Sequence, residues 1–252
     1  MRIGTGHRVL HLWSLSEDVV VEHRANGAMV VRGRWGAEWI DRPVPAVREA
    51  LRRMELGPVL LANVETGKRG GGGPGRERAG QGTGQGRKPG PGQKQGPGQG
   101  PGEGRGRRRS DGPDQGRLIM MRVVGRLSHL IVRTLGVDDL RGPLLSVSPV
   151  ARTGSFVPAP LPEETPVRLP ADAVLTPWRS GFTLERADAR YRVVLHRPEA
   201  VWVLGMLAWP VTPEAASAGL PLPREMTREI LAYLAAAEML APAGERAGLR
   251  VG

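Results

Sequence analysis

The side chains of this 252-residue chain best suited to acid–base work or metal binding are its five histidines, His7, His11, His23, His129 and His196. His7 and His11 are four apart, but the residues around them lack the helical pattern that would turn both imidazoles to one metal. His196, beside Arg197 at a strand end, reads as a structural residue, and His129 falls on the polar face of an expected helix. There is no cysteine, which excludes disulfides, thiolate metal sites and a thiol nucleophile. No G-x-G-x-x-G follows a strand, and Walker A, G-x-S-x-G and H-E-x-x-H are missing. Glu163-Glu164 is an isolated acidic pair in a proline-rich loop and reads as a solvated turn. The sequence therefore offers no catalytic and no metal-ligating residues. Its six tryptophans stand against two phenylalanines and two tyrosines. Trp202 and Trp209, seven apart on one expected helix, fit either core packing or an apolar groove for a peptide.

The net charge of +11 invites a nucleic-acid reading, but its distribution argues against one. Residues 67–116 hold 11 basic side chains against 4 acidic, among 20 glycines, and include all three lysines, Lys68, Lys88 and Lys94. So little apolar surface does not offset the entropy of ordering, and this Gly/Pro/Arg-rich insert is expected to be disordered, with an r.m.s. span of about 40 Å. It lacks interleaved aromatic residues, so nucleic-acid binding is not expected of it. Met1 to Leu15 has no continuous apolar run of a signal peptide. No stretch reaches the roughly 18–20 apolar residues that span a bilayer. A cytoplasmic protein with no membrane partner is the expectation.

The elements that would carry a site fall into two α+β modules. The first, 9–64, has strands at 18–23, 28–32 and 34–40, a turn at Asn26-Gly27, and a helix over 43–54 with Val47, Leu51 and Met54 on one face. A linking helix is predicted over 117–136 from the spacing of Leu118, Met121, Val124, Leu127, Ile131 and Leu135, followed by a proline-rich connection over 140–170. The second module, 171–242, repeats the plan, with strands at 173–176, 182–185 and 191–195 and helices from Pro198, from Thr212-Pro213 and over 223–240. Small antiparallel sheet plus helices, twice, predicts two winged-helix-like modules separated by the insert.

Leu12-Trp13-Ser14-Leu15, Arg34-Trp35-Gly36 and the run from Val47 to Pro58 resemble the start of the SagB-type peptide dehydrogenases of thiazole/oxazole-modified peptide biosynthesis. Beyond the insert the resemblance resumes in the same order at 135–139, 142–146, 192–198 and 230–234. It implies a cytoplasmic pathway in which a nitroreductase-like domain binds FMN and oxidises azolines to azoles. That domain would follow Leu240, so the expectation for this chain is a peptide-recognition or scaffolding region with no cofactor of its own, FMN being expected only in the full-length family enzyme. Its partners would be a precursor or leader peptide and a separate dehydrogenase or cyclodehydratase subunit. The second module also resembles small winged-helix leader-binding domains, in which the leader adds as a strand beside the last helix. The resemblance would place peptide contacts at Phe182, Leu184, Arg192 and Val194 on the strands and at Arg224, Arg228 and Leu231 on the helix. The alternative reading is a winged-helix DNA-binding protein, against which stands the near-neutral helix over 223–240.

Overall fold

The computed structural model describes residues 8–64, 113–179 and 181–243. The expected disorder of residues 67–112 and any role of His7 lie outside these residues. Three strands, β2 (Val20–His23), β3 (Met29–Gly33) and β4 (Gly36–Ile40), form the expected meander. Its first turn uses Gly27 at φ 81°, a conformation open to glycine, while the Asn26 side chain accepts the Ala28 N–H at 3.0 Å. Helix α1 (Pro45–Leu56) starts on its proline and turns Val47, Leu51 and Met54 inward, as their spacing demands. With Met29, Val31 and Ile40 of the meander they build one apolar core.

The linking helix predicted over 117–136 is a helix for only part of its length. Helix α2 runs Pro113–Arg126, starting inside the segment assigned to the insert, and a 3-10 turn follows at Ser128–Leu130. Ile131–Val137 is then a strand, β5. The buried helical stripe is Met120, Val124 and Leu127, whereas Leu118 and Met121 face outward. Past Leu127 the β-branched Ile131, Val132, Thr134 and Val137 favour extended backbone, and strands on both sides claim their hydrogen bonds.

One of those neighbours is β1 (Val9–Leu15), a strand that periodicity did not single out. It pairs antiparallel with β5 residue by residue, from Val9↔Val137 to Leu15↔Ile131. The two expected modules are thereby joined. With β6 (Pro143–Pro149), β8 (Val174–Trp178), β9 (Gly181–Glu185) and β10 (Tyr191–Leu195) the sheet runs β1-β5-β6-β10-β9-β8, antiparallel throughout. Gly181 is obligatory here, since a Cβ on it would lie 2.1 Å from the Leu195 carbonyl oxygen. Two short strands, β7 (Val167–Arg168) and β11 (Ala241–Pro242), pair apart from this sheet.

Helices α3 (Pro198–Met206), α4 (Pro213–Gly219) and α5 (Arg224–Ala236) follow in the predicted order. Thr212 caps α4 by accepting the Ala215 N–H at 3.1 Å. These helices cover one face of the large sheet, burying Leu135, Leu145, Val147, Val193, Leu195 and Leu184 against Val203, Ile230 and Leu234. On that face α5 also meets β1: the Tyr233 hydroxyl lies 3.0 Å from His11 Nδ1, and burial pushes the phenol up to about 12. Among the described residues no helix is long and apolar enough to cross a membrane.

The junction of β10 with α3 is tied to the β5–β6 turn by charge. Arg197 donates to Asp139 at 2.9 Å and to Glu199 at 2.5 Å, and all three side chains are more than nine-tenths buried. The Arg197 guanidinium holds Glu199 below the usual carboxylate range. Burial works against ionising Asp139, but the Arg141 N–H and Arg197 outweigh it and keep it low as well. Arg197→Ala leaves Glu199 only the exposed Arg141 guanidinium at 3.2 Å and Asp139 the Arg141 N–H at 3.1 Å, and is expected to cost about 3 kcal/mol in urea unfolding. Both carboxylates have depressed pKa values, so their contribution is complete above the ordinary values of 4.5 and 3.8 and is lost as pH falls through the lowered ones. The wild-type chain should therefore lose stability below about pH 4.5 more steeply than the Arg197→Ala variant.

Candidate functional site

Strand residues alternate between faces, so the helix-covered face of the large sheet leaves a second face made of its other residues. Across all six strands one row of register partners reads Leu12–Thr134–Ser146–Val194–Thr183–Thr176. The neighbouring positions are Ser14 opposite Val132, Ser148 opposite Arg192 and Val174 opposite Glu185. No helix among the described residues covers this face. It floors a trough of about 820 Å³, walled on the β1 side by Ser16, Glu17, Asp18, Arg34 and Pro58 and on the β8 side by Pro177 and Trp178. Five strand spacings of about 4.8 Å give the floor a width of about 24 Å, the reach of some seven extended residues.

The floor is rich in hydroxyls. Thr134 Oγ1 lies 3.0 Å from Ser146 Oγ, which lies 2.9 Å from His196 Nε2. Burial pushes the His196 imidazole below its ordinary 6.5, so it is neutral at pH 7. Ser146 and His196 thus have the distance of a nucleophile and its base. The Ser146 N–H is not free to serve an oxyanion, however: Ser146 lies mid-strand, paired with Thr134 on one side and Val194 on the other, so its backbone donor belongs to the sheet ladders. The chain of contacts serves to fix three polar side chains in the floor. Ser16, only 8% exposed, lines the wall, and its hydroxyl has no partner among the described residues. A buried hydroxyl without a partner is costly.

The charges of the lining are mostly paired. Arg34 meets Asp18 at 3.2 Å, and Arg192 meets Glu185. FMN, the cofactor implied by the family resemblance, brings a dianionic phosphate that needs free cations or N–H groups. Both lining arginines are spent on carboxylates, and Glu17 adds a further acid to the wall. These residues do not fit a flavin phosphate.

Of the residues assigned from the resemblance, Arg192 and Val194 line the trough. Phe182 and Leu184 point to the opposite, helix-covered face, where Leu184 is 1% exposed. Leu231 is also buried in that core, and on the outside of the same helix Arg224 is exposed and Arg228 is paired with Glu163. The sheet itself separates the two groups, so they form no common groove. Strand addition at β9 or β10, the strands the resemblance points to, is closed, because β9 lies between β8 and β10, and β10 between β9 and β6. The two margins of the large sheet are β1, where Trp13 bridges to Val59, and β8, where all five residues are exposed.

Ser146, Ser148, Thr134, Thr183 and Thr176 were not singled out from the sequence. Their signal was present in Leu145-Ser146-Val147-Ser148, a strict alternation of apolar and hydroxyl residues. Thr134 is hidden because the apolar spacing around it fits a helix. Among the described residues no cluster of three metal-ligating side chains occurs. No known family model matches the chain, and no curated protein shows significant similarity to it.

The trough makes a spectroscopic prediction. In an NMR titration His196 should protonate below 6.5, and it should do so in Ser146→Ala too, because burial and not the serine hydroxyl sets the shift. A return to the ordinary value in that variant would show that the serine contact dominates.

Proposed function

We propose that this chain holds an extended peptide, as the substrate-recognition region of a flavin-dependent azoline peptide dehydrogenase of the SagB type. The observation that carries the reading is the uncovered, hydroxyl-lined trough beside the unpaired margin of β8. A peptide backbone has alternating donors and acceptors, and a floor of serine and threonine hydroxyls offers both at strand spacing. Trp178, part-exposed at the trough's end, supplies a flat apolar surface for one side chain of the guest. The ordered resemblance on both sides of the insert supports the family assignment. Each meander followed by a proline-led helix has the element order of a winged-helix leader-binding domain. In this reading the oxidation of the azoline belongs to a nitroreductase-like domain with FMN, and the residues described here supply grip and register. The precursor's leader segment is the guest, and a dehydrogenase or cyclodehydratase subunit is the partner it is passed to. The DNA-binding alternative draws less support, because Arg228 on the helix that would read the groove is already paired with Glu163.

Calorimetric titration with a leader peptide of the thiazole/oxazole-modified class tests the reading. Ser148 lies on the floor without a side-chain hydrogen bond among the described residues, so Ser148→Trp fills the trough without breaking one. The wild-type chain should bind and the filled variant should lose at least about tenfold in affinity, the equivalent of about 1.4 kcal/mol. Equal binding by both proteins would remove the trough from the interaction.

A further inference from the structure

Helix α2 hides one stripe and shows another. Met120, Val124 and Leu127 lie in the core built with α1 and the meander, each 1% exposed or less. The outer side carries Leu118, Arg122 and Arg126 at four-residue steps, with Arg117 and Met121 alongside. Leu118 is 63% exposed and Met121 42%. A single outward leucine asks for no explanation, but here aliphatic and cationic side chains are interleaved along one face.

The charges of this face are unmatched. In sequence α2 holds one carboxylate, Asp114, against three arginines. Among the described residues none of the three forms an ion pair, in contrast to Arg52 and Arg53 on α1, which both take Glu49. Arg122 and Arg126 are like charges one turn apart, an arrangement that weakens a helix unless an anion offsets it. Arg126 also reaches β4, donating from Nη2 to the Trp39 carbonyl at 2.6 Å. Trp39 is itself 55% exposed. Two carboxylates stand beside it in the meander, Glu38 next in the chain and Glu22 across Val30. Arg152 meets the first and Arg24 the second, so neither opposes an approaching anion with an unpaired charge.

We propose that the outer face of α2, with Trp39 at its margin, docks this protein onto an anionic bilayer surface. The guanidinium groups lie at the level of the lipid phosphates, while their stems, Leu118 and Met121 enter the boundary between headgroups and acyl chains. Trp39 takes the interfacial position that tryptophan favours. Aliphatic side chains set between arginines suit a bilayer better than a soluble polyanion, since they neither stack on bases nor bond to carboxylates. The contact is shallow, because the inner stripe of α2 stays in the core, and it is therefore reversible and weakened by salt. Such binding requires neither a signal peptide nor a spanning segment. None of these residues lines the trough, so the docking face stands apart from the reading given to the trough.

The chain has no cysteine, so Leu118→Cys gives the full chain a single site for an environment-sensitive dye. Leu140→Cys, in the fully exposed turn at the far end of β5 from α2, gives the control. With vesicles of phosphatidylcholine and phosphatidylglycerol at three to one, the dye on residue 118 should shift to the blue and the dye on residue 140 should not. Vesicles of phosphatidylcholine alone should shift neither. Each arginine near an anionic surface favours binding about fivefold, so Arg117→Gln/Arg122→Gln, which changes exposed side chains only, should lower the partition by about tenfold or more. The proposal is overturned if the anionic vesicles sediment the chain without shifting the dye at 118, since another part, such as the basic segment 67–112, then holds the lipid. It is also overturned if the chain stays free of vesicles, if neutral vesicles act as well, if both dyes shift alike, or if the double variant binds unchanged. A DNA duplex or polyglutamate that shifts the dye at 118 as far would overturn it too, by assigning the face to a soluble polyanion.

Discussion

Everything in this structure leans on the antiparallel ladder between β1 and β5. Their pairs run without interruption from Val9↔Val137 to Leu15↔Ile131, joining residues that lie on opposite sides of the basic insert. The ladder fixes β5 as a strand by supplying partners for the edge that β6 does not use. It brings Ser14 into the floor and Ser16 to Asp18 into the wall of the trough. It also places Leu15 and Ile131 side by side in the core under α1 and α2, and His11 beside Tyr233 in the core under α5. Two cores that could have been separate beads are thus built onto one sheet. Such long-range pairing comes with a loop-closure entropy that local contacts avoid, though that entropy grows slowly with loop length.

The local elements were legible in the sequence because local chemistry decides them. The Asn26-Gly27 turn, the proline starts of α1 and α3, the Thr212 cap and the inward Val47, Leu51 and Met54 all follow from properties of those few residues. Local spacing misleads where the deciding partner is distant in sequence. Ile131 and Leu135 satisfy a helical spacing with Val124 and Leu127 as well as they satisfy a strand, and only β1 and β6 settle the matter. The same blindness affected the site. Arg192 and Val194 lie on the trough face, whereas Phe182 and Leu184, on a neighbouring strand, lie on the other one. Which face of a strand is covered depends on where the helices return, and that is not written in the strand.

The strand edges are treated unequally. Along β1 the Val59 segment answers Trp13 with a reciprocal pair of backbone bonds at 2.9 Å. Within β8 the sequence places Pro177, a residue without an N–H and a common guard of exposed margins. Among the described residues the β4 edge has neither device, and the side chain of Arg126 reaches across it. Sheets left open in this way are prone to self-association unless charge discourages it, and the arginines around β4 do so between like copies.

The pairing of Arg34 with Asp18 and of Arg192 with Glu185 has a consequence for how the trough responds to ionic strength. Contacts made through hydroxyls and van der Waals surface are almost indifferent to dissolved salt, whereas exposed charges are screened over a Debye length of about 8 Å under physiological conditions. A guest seated on the serine and threonine floor would stay bound in concentrated electrolyte that strips away ligands held chiefly by unpaired guanidinium groups.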